Sequence, residues 1–254
     1  MQPPFSRSQI EQFIRTGFLC LDEAFPRPLA AAAREILWKD LPLDRNDRST
    51  WTDPVHRLGM YGEAPFVASA NTPLLRAAFD QLVGPGRWLP VREMGSFPVR
   101  FPHDTTAGDT GKHVDASFPG VDPADYFQWR INHRSRGRAL LLLFLYSDVG
   151  TADAPTVIYP ESHRAVADLL RPAGKEGRSF TDLAGRLDEL SLAAPTLATG
   201  PAGTVYLCHP FLVHAARAHR GREPKFMAQP PLRWKGGLRA AGEAVRYPVD
   251  EAVG

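Results

Sequence analysis

The residues Ala139 to Tyr146 form a nearly unbroken apolar run of strand length. A strand that alternates apolar and polar residues can leave one face in water. This one cannot, so it reads as a strand buried on both faces. At 254 residues the chain is long enough to bury a large core, as one domain or two small ones.

Helical signals come first along the chain. Ser8-Gln9-Ile10-Glu11 reads as a capping box, Ile10, Phe13 and Ile14 follow at helical spacing, and Gly17 is a terminator. Phe18 to Leu21 is a short strand. Helices are expected from about Arg27 to Lys39 and from Pro73 to Val83, the second stopped by Gly84-Pro85-Gly86. Residues 42–70 between them read as a long irregular loop, of a kind that is often functional. Strands dominate from there: 95–101, 139–146, 156–159, 203–208 and 225–229. Pro160-Glu161-Ser162-His163 leads into a short helix with Ser162 placed to cap it. Residues 171–202, rich in Gly, Pro and charge, read as an excursion from the core. Helices followed by strands predict an α+β domain in which helices buttress a β sandwich or barrel.

Within the strand region lies Gly111-Lys112-His113-Val114-Asp115. Residues i and i+2 of a strand share a face, so His113 and Asp115 could grip one metal ion while Val114 points away. His214 lies far along the chain in a β-like run, and Lys225 follows it by eleven residues. Two histidines, a carboxylate and a trailing cation are the parts of a non-haem iron site with an acidic co-substrate. Such a triad leaves coordination positions open for Fe(II) and O₂ chemistry. A His-x-Asp pair alone arises readily by chance; its surroundings carry the argument. His209 competes with His214; the two would face opposite ways in an ideal strand, but Pro210 interrupts the regularity. His163 reads as structural at its turn, and His219 as bonded to a carbonyl or lining the site. His56, His103 and His133 read as exposed loop residues. The aromatic stretch Tyr126 to Asn132 offers Trp129, Arg130 and Asn132 for a substrate carboxylate or phosphate, with Arg100 as a further candidate. The alternative is a loop that packs Phe127 and Trp129 over the mouth of a barrel. Arg134 to Arg138 reads as a solvated basic turn.

Composition removes several function classes. A net charge of +2 gives no global case for nucleic acid or membrane binding. The two cysteines, Cys20 and Cys208, form no motif. No apolar stretch is long enough for a membrane span, and the N-terminus has no basic region leading into an apolar one. The expectation is a soluble cytoplasmic protein acting without nucleic acid or membrane, its oligomeric state open.

The chain resembles the phytanoyl-CoA dioxygenase family of Fe(II)- and 2-oxoglutarate-dependent oxygenases from about Ser8 to Leu232. The resemblance is carried by Ile10-Glu11-Gln12-Phe13 through Gly17-Phe18, by Gly111 to Asp115, by Ser147-Asp148-Val149 with Pro160-Glu161-Ser162-His163-Arg164, and by Gly203-Thr204-Val205-Tyr206 through His214. It implies a double-stranded β-helix, a jelly-roll or cupin-like core buttressed by N-terminal helices. As one domain over 1–254, the chain would place buttress and loop in 1–90, the jelly roll in 91–232 and a tail in 233–254. It implies His113, Asp115 and His214 as iron ligands, and the family's spacing favours His214 over His209. The family's 2-oxoglutarate arginine, eleven residues after the distal histidine, is Lys225 here; the charge is kept and the guanidinium fork is lost. Arg222 is the alternative anchor. Lys112 stands where an aromatic is common, Glu161 where glycine is usual, and Ala216 where a small hydroxyl residue often holds 2-oxoglutarate. Relatives that halogenate lack the carboxylate, so Asp115 implies hydroxylation or another oxidation of a small molecule in specialised metabolism, with O₂ consumed and succinate and CO₂ released. A jelly-roll binding protein, or a cupin-like metal isomerase or hydrolase without 2-oxoglutarate, is the competing reading.

Overall fold

The computed structural model describes residues 3–243 and 245–254. Met1 and Gln2 of the N-terminal stretch, and Ala244 of the expected tail, lie outside the described residues. The first helix, Arg7–Thr16, is capped by Ser6 rather than Ser8. Ser6-x-x-Gln9 satisfies the same capping pattern two residues earlier: Gln9 N donates to Ser6 Oγ at 3.3 Å and Ser6 N donates to Gln9 Oε1 at 2.9 Å. Gly17, at φ 85°, closes the helix, and a Cβ there would meet the His163 ring at 2.5 Å. Helices Arg27–Asp40 and Pro73–Val83 fall where the apolar spacing places them.

Residues 42–70 are not the irregular loop expected. They hold a strand, Val55–Leu58, paired with Phe97–Arg100, and a helix, Ala64–Ala70, that buries Phe66. A four-residue strand and a seven-residue helix are too short to show periodicity in sequence. The excursion at 171–202 is likewise ordered. Arg178–Ser179 pairs with Arg130–Ile131, Ser179 caps the helix Phe180–Arg186, and Thr196–Ala198 joins a sheet. The helix after Pro160 spans Ser162–Leu170, but Ser162 is its first residue and Glu161 its cap. The Ser162 hydroxyl donates to Tyr159 O and accepts from Val213 N instead. Glu161 sits at φ 67°, the left-handed conformation that glycine adopts without strain.

All strand pairs are antiparallel. The larger sheet runs Phe18–Leu21, Val205–Cys208, Leu140–Leu145, Met227–Ala228, with Pro231–Leu232 further along the same edge of Leu140–Leu145. The smaller sheet runs His214–Ala215, Thr156–Ile158, Thr196–Ala198. The apolar run explains the layering. Leu140, Leu142 and Phe144 join the core shared with the helices, including Phe13, Ala33, Leu37 and Phe79. Leu141, Leu143 and Leu145 join a second cluster with Ile158 and Ala198 of the smaller sheet. The strand is thus buried on both faces, between helices on one side and the second sheet on the other.

Beyond residue 232 the chain packs back on the helices. Trp234, Leu238 and Val249 are buried, and Asp250 accepts two bonds from Arg87 at 2.6 and 3.0 Å. Among the described residues no helix is long and apolar enough to cross a membrane.

Candidate metal centre and its cavity

His113 and His214 face each other across an isolated antiparallel bridge. Each backbone N donates to the other's carbonyl, at 2.9 and 3.0 Å, which brings the ring centroids to 4.3 Å. Asp115 follows on the same side as His113, while Val114 is buried in the main core, as alternation requires. His113, Asp115 and His214 offer one ligand atom each within 4.8 Å of one another. Asp115 Oδ1 is 3.7 Å from His113 Nε2 and 3.6 Å from His214 Nε2.

The surroundings set which atoms are free. Nδ1 of His113 bonds Gly111 O at 2.9 Å and Nδ1 of His214 bonds Leu212 O at 3.1 Å. A carbonyl only accepts, so each Nδ1 carries a proton, the tautomer in which Nε2 of a neutral ring is the metal-binding nitrogen. Asp115 Oδ2 accepts from Arg138 at 2.9 Å and from Gln229 at 3.0 Å, which leaves Oδ1 toward the histidines. The Gln229 amide nitrogen also lies 3.0 Å from His214 Nε2. Burial opposes ionisation of Asp115, but Arg138, His214 and His113 outweigh it and hold its carboxyl well below the usual range. Burial, and then the neighbouring His214, lowers the His113 pKa, which favours the neutral ring. Two imidazole nitrogens and one carboxylate oxygen, each fixed from behind, match the donor set of a divalent transition metal.

Arg138 and Gln229 were not singled out by the sequence. The basic run is not a solvated turn throughout: Arg134 pairs with Glu243, whereas Arg138 is buried on Asp115 and Ala116 O. Its signal was position, immediately before the buried strand.

The triad lies on the wall of a cavity of 750 Å³ between the two sheets. Lys225 lines it, fully buried, and donates to Ala154 O at 2.5 Å. Among the described residues it has no carboxylate partner. Burial, helped by the charge of Arg100 and opposed by Asp109, pushes its pKa down to about 7. Arg100 also lines the cavity but is occupied by Asp109, at 3.2 and 2.7 Å. Arg222 is exposed and outside the cavity lining, because the turn before Lys225 carries it to the surface.

Trp129 lines the cavity beside Tyr126, Phe127 and Phe180. Arg130 and Asn132 do not. Arg130 donates to Glu176 O and Gly177 O, and Asn132 to Lys175 O, so both tie down the loop 174–177. The strand at Arg130–Ile131 has only two residues, too short for the sequence to show which side chains share a face. His209 is fully buried between Val249 O and Phe211 N, away from the triad. His163 packs against it and bonds Ile14 O; burial pushes its pKa to about 4. His219 accepts from Gly221 N and is outside the lining. His56, His103 and His133 are half-buried rather than exposed.

No protein-family model matches the chain, and no curated protein matches it. Its structure is similar to that of the non-heme alpha-ketoglutarate-dependent carbocyclase SnoK from nogalamycin biosynthesis, with a TM-score of 0.54 and 18% identity, covering 89% of this chain and 82% of that one. It is similar to HygX from Streptomyces hygroscopicus with nickel and 2-oxoglutarate bound, with a TM-score of 0.56 and 19% identity over 89% and 85% of the two chains. GlcNAc Inducible Gene 2 from Candida albicans is also similar, with a TM-score of 0.60 and 13% identity over 92% and 65%. At these identities the likeness is one of fold: mixed helices and antiparallel sheets around a cavity that carries His113, Asp115 and His214.

Proposed function

We propose that the chain is a non-haem Fe(II)- and 2-oxoglutarate-dependent oxygenase of the phytanoyl-CoA dioxygenase type. It would hydroxylate or otherwise oxidise a small molecule of specialised metabolism. The observation that carries this reading is the convergence of His113 Nε2, His214 Nε2 and Asp115 Oδ1 in a cavity that also holds the buried, carboxylate-free cation Lys225. The fold likeness to SnoK and HygX supports it, as does a donor set suited to Fe(II). The two antiparallel sheets facing the cavity support a jelly-roll core over residues 91–232 of a single domain, with 1–90 as buttress and 233–254 as tail.

His113, Asp115 and His214 would hold the iron at the wall of the cavity. Bound together, iron and 2-oxoglutarate would supply an oxidant able to remove hydrogen from an unactivated carbon, with release of succinate and CO₂. The chain's own residues do the positioning. Gly111 O and Leu212 O fix the tautomer and aim of each imidazole. Arg138 and Gln229 keep Asp115 ionised and turned so that Oδ1 faces inward. Lys225 would receive the far carboxylate of 2-oxoglutarate, gaining the counter-charge it otherwise lacks. Met227 and Phe180 line the walls and would limit the access of water to the reacting centre.

Oxygen uptake and succinate formation from 2-oxoglutarate test the reading. Both should require added Fe(II) and disappear on chelation. Metal binding without either would instead indicate a cupin-like enzyme or binding protein.

A further inference from the structure

The edge that carries Lys225 continues past the metal triad. Lys225, Met227, Gln229, Pro231 and Arg233, every second residue, all line the cavity. This is the alternation of an extended chain with one face turned inward. Gln229 touches the triad at the middle of this track. Lys225 stands four residues to one side and Arg233 four to the other, each about 13 Å away along an extended backbone.

Six cations line the cavity: Arg57, Arg100, Lys112, Arg138, Lys225 and Arg233. Four have carboxylate partners. Arg57 and Arg100 share Asp109, Lys112 pairs with Asp188, and Arg138 with Asp115. Among the described residues Lys225 and Arg233 have none. On the reading above, 2-oxoglutarate satisfies Lys225, which leaves Arg233 as the cation available to a second anion.

The wall beside His113 is aromatic. Phe180 lies 5.7 Å from the His113 ring, 5.4 Å from Tyr126 and 5.9 Å from Phe127, centroid to centroid. Tyr126 and Phe127 line the cavity yet are 42% and 61% exposed, so their faces are open at its rim. Large aromatics left open beside a cavity suit a flat apolar ligand.

We propose that the substrate is an acidic small molecule with a flat apolar body, its anionic group held by Arg233 and its body laid against Tyr126, Phe127 and Phe180. The substrate would thus enter from the end opposite 2-oxoglutarate, so the two anions would not compete. The proposal rests on the triad being the reacting centre, and it names the substrate class of that same site.

Fluorescence titration of the full chain with anilinonaphthalene sulfonate, and with uncharged phenylnaphthylamine of the same skeleton, tests it. Arg233→Gln should weaken the sulfonate at least about fivefold at low salt and leave the uncharged probe unchanged. Phe127→Ala should weaken both probes, and Arg222→Gln, outside the cavity, should alter neither. Saturating 2-oxoglutarate should not displace the sulfonate. The proposal is overturned if the wild-type chain does not bind the sulfonate, if Arg233→Gln affects both probes equally or neither, or if 2-oxoglutarate displaces the probe. Because the probes require no metal, a failure of Fe(II) or 2-oxoglutarate binding would show separately.

Discussion

Replacing Lys225 by methionine removes one charge with two opposite consequences. Lys225 is buried, bonded to one carbonyl, and faces Arg100, Asp109 and His219. Asp109 is already shared by Arg100 and Arg57, so it compensates Lys225 poorly. The folded-state pKa of about 7 lies well below the ordinary lysine value of 10.5. The unfolded chain therefore binds the proton more tightly, and stability rises with pH between about 7 and the unfolded value. Below pH 7 the full cost of the buried cation is present, on the order of 5 kcal/mol at about 1.4 kcal/mol per pH unit. Without ligand, Lys225→Met should therefore melt higher than wild type near pH 6, with the gap closing by about pH 10. With ligand the sign reverses. Loss of the partner to a buried carboxylate costs about 2–5 kcal/mol, or roughly thirtyfold to a few thousandfold in 2-oxoglutarate affinity. Wild-type affinity should also fall as pH rises above about 7, because binding must then take up a proton. Anaerobic calorimetry with Co(II)-loaded protein, beside thermal melts across pH, reads both effects. A Met variant that binds 2-oxoglutarate within threefold of wild type, or that melts lower near pH 6, would refute the reasoning.

His113→Ala, Asp115→Ala and His214→Ala should each lose Co(II) binding in a spectroscopic titration, whereas His209→Ala should keep it and lower the melting temperature only. Arg138→Leu leaves the buried Asp115 carboxylate without its cation. It should cost about 3–5 kcal/mol in urea denaturation of the metal-free chain, with part of the loss recovered when a divalent metal is added. Mass spectrometry of turnover at high chloride should find oxygenated or desaturated product and no chlorinated one, since on the proposed reading Asp115 would take the coordination position a halide would need. Asp115→Gly should lose hydroxylation.

The sequence made the two-sided burial of Ala139 to Tyr146 legible because that strand has no polar face to hide the pattern. His113 and Asp115 were legible through strand alternation, and His214 through its spacing from Lys225. Residues whose roles depend on tertiary neighbours left no local trace. Arg138 looks like any member of a basic run until Asp115 folds against it. Gln229 carries no charge and belongs to no motif, and it reaches the triad only because the edge strand passes behind it. The helix Phe180–Arg186 sits in a stretch whose Gly, Pro and charge content suggested a loop, yet it supplies Phe180 to the cavity. Arg130 and Asn132 lie outside the cavity lining for the same reason: their partners are carbonyls of a loop more than forty residues on, at Lys175, Glu176 and Gly177. The spacing implied by the family resemblance favours His214 over His209, and the structure shows the physical difference: the turn at Pro210 buries His209 against Val249 and leaves His214 lining the cavity.

The central claim is that this triad and Lys225 together hold Fe(II) and 2-oxoglutarate. Anaerobic addition of 2-oxoglutarate to the Fe(II)-loaded chain tests it, followed by the visible absorption that arises when a keto acid chelates Fe(II). The account predicts that the band appears in the wild-type chain and in His209→Ala, is absent from His214→Ala, and needs far more 2-oxoglutarate in Lys225→Met. A wild-type chain that binds Fe(II) and shows no band at saturating 2-oxoglutarate, or an undiminished band in His214→Ala, would contradict it.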